Sequence, residues 1–308
     1  MSDGGAGAGP RDGANPGAGA SPGADAGGLR GRLFVWLQYL LPQHALSRLI
    51  LAATRVRTPW LKNWTVRGFL KLYAVDMSEA AESDPYRYGS FNEFFTRALK
   101  EGARPIAGGA RAIASPVDGQ VSESGVIDGE RLLQAKGRYY TVTDLLADQP
   151  WASRFEGGTF ATLYLAPFNY HRVHMPMRGE LEQTVYVPGR LFSVNAVTAQ
   201  HVPALFARNE RVLTLFDSGQ GRFALVMVGA LNVGSMATVW AGDITPAARR
   251  VVAQIPGPRV VLEKGAELGR FNMGSTVILL FEPNRARWHP ELRAGSWVRL
   301  GQSLGTLW

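Results

Sequence analysis

The sequence predicts an α+β protein, with a basic helical N-terminal region packed on a β-rich body of the sandwich or barrel kind. Three observations carry that reading. Apolar residues recur at helical spacing only before about residue 104. After Pro105 the chain breaks into short runs of Val, Leu, Phe and Thr, closely separated by Gly and Pro. The net charge of +8 is concentrated early: between Leu29 and Val75 stand eight cations (Arg30, Arg32, Arg48, Arg55, Arg57, Lys62, Arg67, Lys71) and no acid.

Taken in order, residues 1–28 contain no Leu, Ile, Val or aromatic side chain, so they have nothing to bury against the entropy of ordering and read as a flexible tail. Residues 29–104 read as helical. After Pro42, Leu46, Leu49, Ile50 and Ala53 fall on one helical face. Pro59 interrupts the pattern, and a second helix is expected from Trp60 to Tyr73. A third begins at Ser90-Phe91-Asn92-Glu93, a capping box in which the Glu93 amide donates to the Ser90 hydroxyl and the Glu93 carboxylate returns to the Ser90 amide. Residues 105–308 form the β-rich domain, with strands expected at Thr159–Leu165, Leu181–Val187, Val212–Phe216, Phe223–Val228 and Val277–Phe281. There is no strand–helix alternation and no glycine-rich phosphate loop, which argues against dinucleotide-binding and P-loop folds. No solenoid period is present either.

Composition narrows the chemistry. The 308 residues are 46% hydrophobic and 19% charged, as in a globular chain, and include no cysteine. Disulfide scaffolds, thiolate metal sites and cysteine nucleophiles are thereby excluded. No apolar run approaches the roughly 20 residues of a membrane-spanning helix, and no signal-peptide h-region is evident. The expectation is a soluble or surface-bound protein. Trp36, Tyr39, Trp60, Trp64, Phe69 and Tyr73 are interleaved with the eight early cations. That pattern suits an in-plane contact with an anionic membrane, although a merely solvated helical layer produces it too. Nucleic acid is not expected, because no recognition motif accompanies the charge.

Five histidines occur. His44, His201 and His289 are isolated and read as structural. His171 and His174 lie together in Tyr170-His171-Arg172-Val173-His174-Met175-Pro176, with no third ligand to suggest a metal. On a regular strand they would face opposite sides, so both serve one site only if the chain bends. Asp118, in the turn Ser115–Gly119, and Ser275, at the entry to a strand, could complete a charge-relay set with His174, because such sets are assembled in space regardless of chain order. Spacing alone leaves open whether they meet.

The strings LPQHALSR (41–48), FNEFFTR (91–97), SPVDG (115–119), YHRVHMP (170–176), FSVN (192–195) and MGST (273–276), in this order, resemble the bacterial-type phosphatidylserine decarboxylase proenzyme family over about 34–300. The resemblance implies a chain that cuts itself between Gly274 and Ser275 into a β chain 1–274 and an α chain 275–308. Met273 stands where the family has Leu. Asp118, His174 and Ser275 correspond to the self-processing triad, and His171 to the histidine suited to the decarboxylation step. Ser275 would become a covalent pyruvoyl group, the cofactor that takes up the electrons released with carbon dioxide. The implied partners are phosphatidylserine, an anionic membrane surface on the cytoplasmic side, the chain's own α and β products and a second copy in a homodimer. On this reading the basic segment docks the membrane, and charge reversal at Arg55, Arg57 and Lys62 is expected to weaken vesicle binding. Two other readings are a Ser-His-Asp lipid esterase, for which the G-x-S-x-G elbow is missing around Ser275, and a non-catalytic membrane-binding β module.

Overall fold

The computed structural model describes residues 28–135, 137–231, 235–244, 253–254, 260–272 and 275–308. Met273 and Gly274, one side of the expected cleavage point, lie outside the described residues, as does the N-terminal tail up to residue 27.

Four helices open the fold: α1 (Leu29–Leu40), α2 (Gln43–Thr54), α3 (Pro59–Leu72) and α4 (Phe91–Phe95). Pro59 opens α3 instead of merely interrupting a pattern, since a missing N–H costs nothing in the first turn. Helix does not extend through 104 as expected. Between α3 and α4 the carboxylates of Asp76, Glu82 and Asp84 accept from the amides of Ser78, Asp84 and Tyr86, two residues on, at 2.8–2.9 Å. Such local side-chain bonds compete with helix for the backbone donors. The capping box forms with one change: Glu93 N donates to Ser90 Oγ at 3.1 Å, but the Glu93 carboxylate reaches the Gly89 amide at 2.9 Å, not that of Ser90.

The apolar face expected on α2 is not its buried face. The helix buries Gln43 and Ser47, while Leu49 remains 66% exposed. In α1, likewise, Gly31, Val35 and Gln38 turn inward and Trp36 and Leu40 outward. The two glutamines dock these helices on the β body: Ser193 N donates to Gln38 Oε1 at 2.7 Å and Leu191 N to Gln43 Oε1 at 2.9 Å.

Ten strands matter for the site: β1 (Gly119–Val126), β2 (Thr159–Leu165), β3 (Arg172–His174), β4 (Gly179–Val187), β5 (Arg211–Asp217), β6 (Arg222–Val228), β7 (Met236–Thr238), β8 (Gly242–Ile244), β9 (Glu267–Phe271) and β10 (Ser275–Phe281). The main sheet runs β4-β5-β6-β10-β2-β1, every neighbour antiparallel, and Trp297–Val298 extends it beyond β1. A smaller sheet has the order β8-β7-β9-β3. The five strand runs expected from the sequence all lie in strands of the main sheet. β10 sits between β6 and β2 and is buried along its whole length, which explains its continuous apolar run after Thr276. Two apolar clusters result. A large one surrounds the main sheet, and a small one joins Val66 of α3 to Phe91, Phe94 and Phe95 of α4.

Candidate active site

Chain register gathers the expected site residues at one end of the main sheet. Gln120 of β1 pairs with Tyr164 of β2, which pairs with Thr276 of β10, and Leu165 pairs with Ser275. Gly119 and Ser275 therefore begin, at the same end of the sheet, the two strands that flank β2, and Asp118 immediately precedes Gly119. A side chain at 119 is forbidden: its Cβ would stand 2.5 Å from the Tyr164 carbonyl oxygen. Beyond β2 the chain turns on Asn169, whose side chain accepts from the Ala166 amide at 2.8 Å. That bend brings residues 170–174 back beside the Asp118 loop, where His174 N donates to Pro116 O at 2.9 Å.

Ser275 is fully buried, and its Oγ has no hydrogen-bond partner. A sealed, unpaired hydroxyl is costly in a folded core and calls for a chemical explanation. His174 Nδ1 lies 2.8 Å from the Gly265 carbonyl, and its Nε2 lies 3.0 Å from the Tyr170 hydroxyl. A carbonyl can only accept, so Nδ1 carries the hydrogen and Nε2 offers its lone pair to Tyr170. Burial lowers the His174 pKa, opposed by the Gly265 carbonyl and more weakly by the charges of Glu267 and Asp118. Burial likewise pushes the Tyr170 phenol up to about 12, which keeps it a donor.

Asp118 does not hydrogen-bond His174. Its carboxylate is gripped by Arg104, through Nε at 2.9 Å and Nη2 at 2.6 Å, and accepts from Leu300 N at 2.8 Å. Arg104 also pairs with Glu79 at 2.8 Å. The acid therefore acts on His174 through space, and the direct relay Asp–His–Ser is not closed in this state of the chain.

His171 occupies a separate apolar niche. Its ring stacks on Phe95, with centroids 4.0 Å apart, and Nε2 lies 3.2 Å from the Pro167 carbonyl. Nδ1 is buried without a partner. Burial, helped by the nearby Arg97 guanidinium, lowers its pKa to about 3, so the ring is neutral at physiological pH. The other histidines are structural as expected where hydrogen bonds define them: His201 Nδ1 meets Val197 O and His289 Nε2 meets Ser303 Oγ, each at 2.8 Å.

Three residues that motif reading did not single out shape this region: Tyr170, Arg104 and Arg97. Tyr170 and Arg97 lie within the quoted strings, but only the folded chain shows what they touch. A fourth, Glu210, immediately precedes strand β5, where its carbonyl accepts from Gly229 N at 2.8 Å. Its carboxyl is wholly buried beside Tyr186 without a hydrogen bond of normal geometry, and burial raises its pKa to about 7.

Chemically, the region offers an unpaired buried hydroxyl, two imidazoles, one with its Nε2 lone pair taken by Tyr170 and one with an unpaired Nδ1, and a carboxylate paired with an arginine. Comparison with known proteins agrees with this inventory. A family model described as phosphatidylserine decarboxylase matches residues 91–306, and a second, described as PSD, matches 33–74. The chain is 55% identical over 283 residues to the phosphatidylserine decarboxylase proenzyme of Ectopseudomonas mendocina (strain ymp), covering 90% of this chain and 99% of that one. It is 49% identical over 278 residues to the proenzyme of the same name from Methylococcus capsulatus (strain Bath), covering 89% and 96%. With a single family model spanning the whole β body and relatives aligned nearly end to end, the chain belongs to the phosphatidylserine decarboxylase family.

Proposed function

We propose that this chain is a self-processing decarboxylase that converts phosphatidylserine to phosphatidylethanolamine and carbon dioxide. The observation that carries the proposal is Ser275: a buried, unpartnered hydroxyl at the first residue of a central strand, within the region where His174 and Asp118 converge. In the processing step Ser275 Oγ attacks the carbonyl carbon of residue 274 and the peptide bond opens to an ester. His174 Nε2 accepts the hydroxyl proton once Tyr170 yields its place there, and Asp118 stabilises the imidazolium through space. Elimination then frees the carboxylate of residue 274 and leaves dehydroalanine, whose imine tautomer takes up one water and releases ammonia to give a ketone at the new N-terminus.

The site suits such a group, because conversion replaces the orphaned Ser275 hydroxymethyl by a methyl group at the same buried position. When present, a pyruvoyl group supplies the electron sink for decarboxylation. The protein residues do the rest: the niche of Phe95 and His171 excludes water, and His171 holds the proton that returns to the substrate Cα.

Reaching a lipid substrate requires contact with a bilayer. No helix among the described residues is long and apolar enough to cross a membrane. The outward side chains of α1 to α3 support peripheral docking instead. Trp60 and Trp64 are 72% and 71% exposed, and with Arg67 and Lys71 they follow one face of α3. The reversal expected to weaken binding needs revision, because Lys62 is buried and donates to the carbonyls of Tyr86 and Tyr88, Arg55 pairs with Asp243, and Arg57 pairs with Glu93. Arg55 thus ties the end of α2 to β8, and Arg57 and Lys62 tie the α3 region to α4 and the segment before it. The exposed Arg67 and Lys71 make no ion pair among the described residues and are the better membrane contacts.

Intact mass of the purified protein tests the proposal. Wild type is expected as two chains, 1–274 and a 275–308 fragment with a blocked, ketone-bearing N-terminus, while Ser275→Ala remains whole and inactive. An uncut wild-type chain that hydrolyses lipid esters would overturn it in favour of the esterase.

A further inference from the structure

Three arginines surround the site, and they are not equivalent. Arg104 is matched by Asp118 and Glu79, and Arg172 by Glu267 at 2.8 Å. Arg97, immediately beyond α4, is only 5% exposed and has no carboxylate partner among the described residues. Among the described residues its one side-chain hydrogen bond runs from Nη2 to the Phe168 carbonyl at a long 3.4 Å, its Nε is unpaired, and its guanidinium lies 5.8 Å from the Phe94 ring centroid. Elsewhere in the molecule a buried arginine is fully used: Arg211 donates to four main-chain carbonyls at 2.6–3.0 Å. A desolvated cation without an anion is expensive, and a protein tolerates it chiefly where a ligand supplies the missing charge.

Its position identifies that ligand. Arg97 and His171 bond to consecutive carbonyls of one turn, Phe168 O and Pro167 O, and so stand side by side. We propose that Arg97 is the headgroup-anion residue of the site, receiving the phosphodiester of phosphatidylserine while His171 faces the serine Cα. This rests on the assignment of decarboxylation to the Ser275 and His171 region. In the substrate only Cβ and an ester oxygen separate Cα from the phosphate, which matches neighbouring side chains. The carboxylate is the less suitable anion, because a cation that grips it stabilises the ground state and loses its hold as carbon dioxide departs. A phosphodiester keeps its charge throughout, so a guanidinium fork on it anchors substrate and transition state alike. Neutralising Arg97 also relieves its repulsion of a proton on His171, the group that must deliver one.

The test uses the processed enzyme in detergent micelles, with dihexanoyl phosphatidylserine as substrate and dihexanoyl phosphatidylethanolamine as competitor, so that membrane docking is not a variable. The competitor keeps the phosphodiester and lacks the carboxylate. For Arg97→Gln we expect two processed chains by mass, a KM raised about tenfold or more, a smaller change in kcat, and an inhibition constant for the competitor raised in parallel. Arg97→Lys is expected to recover part of both. A raised KM with an unchanged inhibition constant would assign Arg97 to the carboxylate and overturn the proposal, as would no change in either. Should Arg97→Gln fail to process, the same two constants are read on Arg97→Lys, where the lost fork still predicts a parallel, smaller rise and an absent rise refutes it. Failure of wild type to cut at Ser275 would instead refute the underlying assignment.

Discussion

At the scale of single residues, burial without a partner is shared by three side chains of the expected site. Ser275 Oγ, His171 Nδ1 and Arg97 Nε are all sealed from water and unpaired, and all lie in or beside the expected site. Glu210, buried beside Tyr186, has a measurable consequence for folding. Its pKa stands near 7 in the folded chain against an ordinary 4.5. Between those values the folded state holds a proton that the unfolded state has released. Stability therefore falls as pH rises from 4.5 to 7 and levels off above, by about 3 kcal/mol from this group. Denaturant unfolding of uncut protein between pH 4.5 and 8 is expected to show Glu210→Gln lacking that decline, so the difference between variant and wild type grows with pH. A difference independent of pH would show that the carboxyl is ionised throughout.

At the scale of elements, helix attachment depends on polar groups in unusual places. Gln38 and Gln43 are buried in α1 and α2 and accept the Ser193 and Leu191 amides, which pins the helices to the segment that follows β4. Replacing either by Leu leaves a buried amide without an acceptor, at a cost of about 1–3 kcal/mol each. Thermal unfolding of uncut Ser275→Ala protein bearing Gln38→Leu or Gln43→Leu is expected to show that loss. Protease cleavage between α1 and α2 is expected to rise with it, while the β body stays resistant. An unaltered melting temperature would mean that water replaces the glutamine. These contacts also explain why the apolar spacing of α2 indicated a helix but not its orientation. Amphipathicity reports which face is apolar, and only packing decides whether that face turns toward the core or toward a membrane.

For the whole molecule, the helical layer turns polar Gln38 and Gln43 inward while Trp36, Leu40, Leu49, Trp60 and Trp64 stay exposed. A protein of this form should bind an interface without inserting a span. Trp60→Ser and Trp64→Ser combined with Arg67→Glu and Lys71→Glu are expected to reduce sedimentation with phosphatidylserine-containing vesicles at least about tenfold, since each cation near an anionic bilayer contributes about 1 kcal/mol. Processing at Ser275 should continue, because these side chains point away from the main sheet. Equal binding by wild type and variant would move the contact elsewhere on the molecule.

The sequence by itself determined the α+β class, the order of helices before strands and the central strand at Val277–Phe281, and its short strings put forward Asp118, His171, His174 and Ser275 as candidates. Those are local properties: periodicity, caps and short strings survive in one dimension because neighbouring residues dictate them. Tertiary structure decided what the same residues bond. Asp118 proved to be committed to Arg104, a residue outside every quoted string, and His174 to Tyr170 and Gly265. Gln38 and Gln43 became anchors through contacts about 150 positions away in the chain. Sheet register and the burial of one side chain against another are set by the whole fold at once, and no window of sequence contains them.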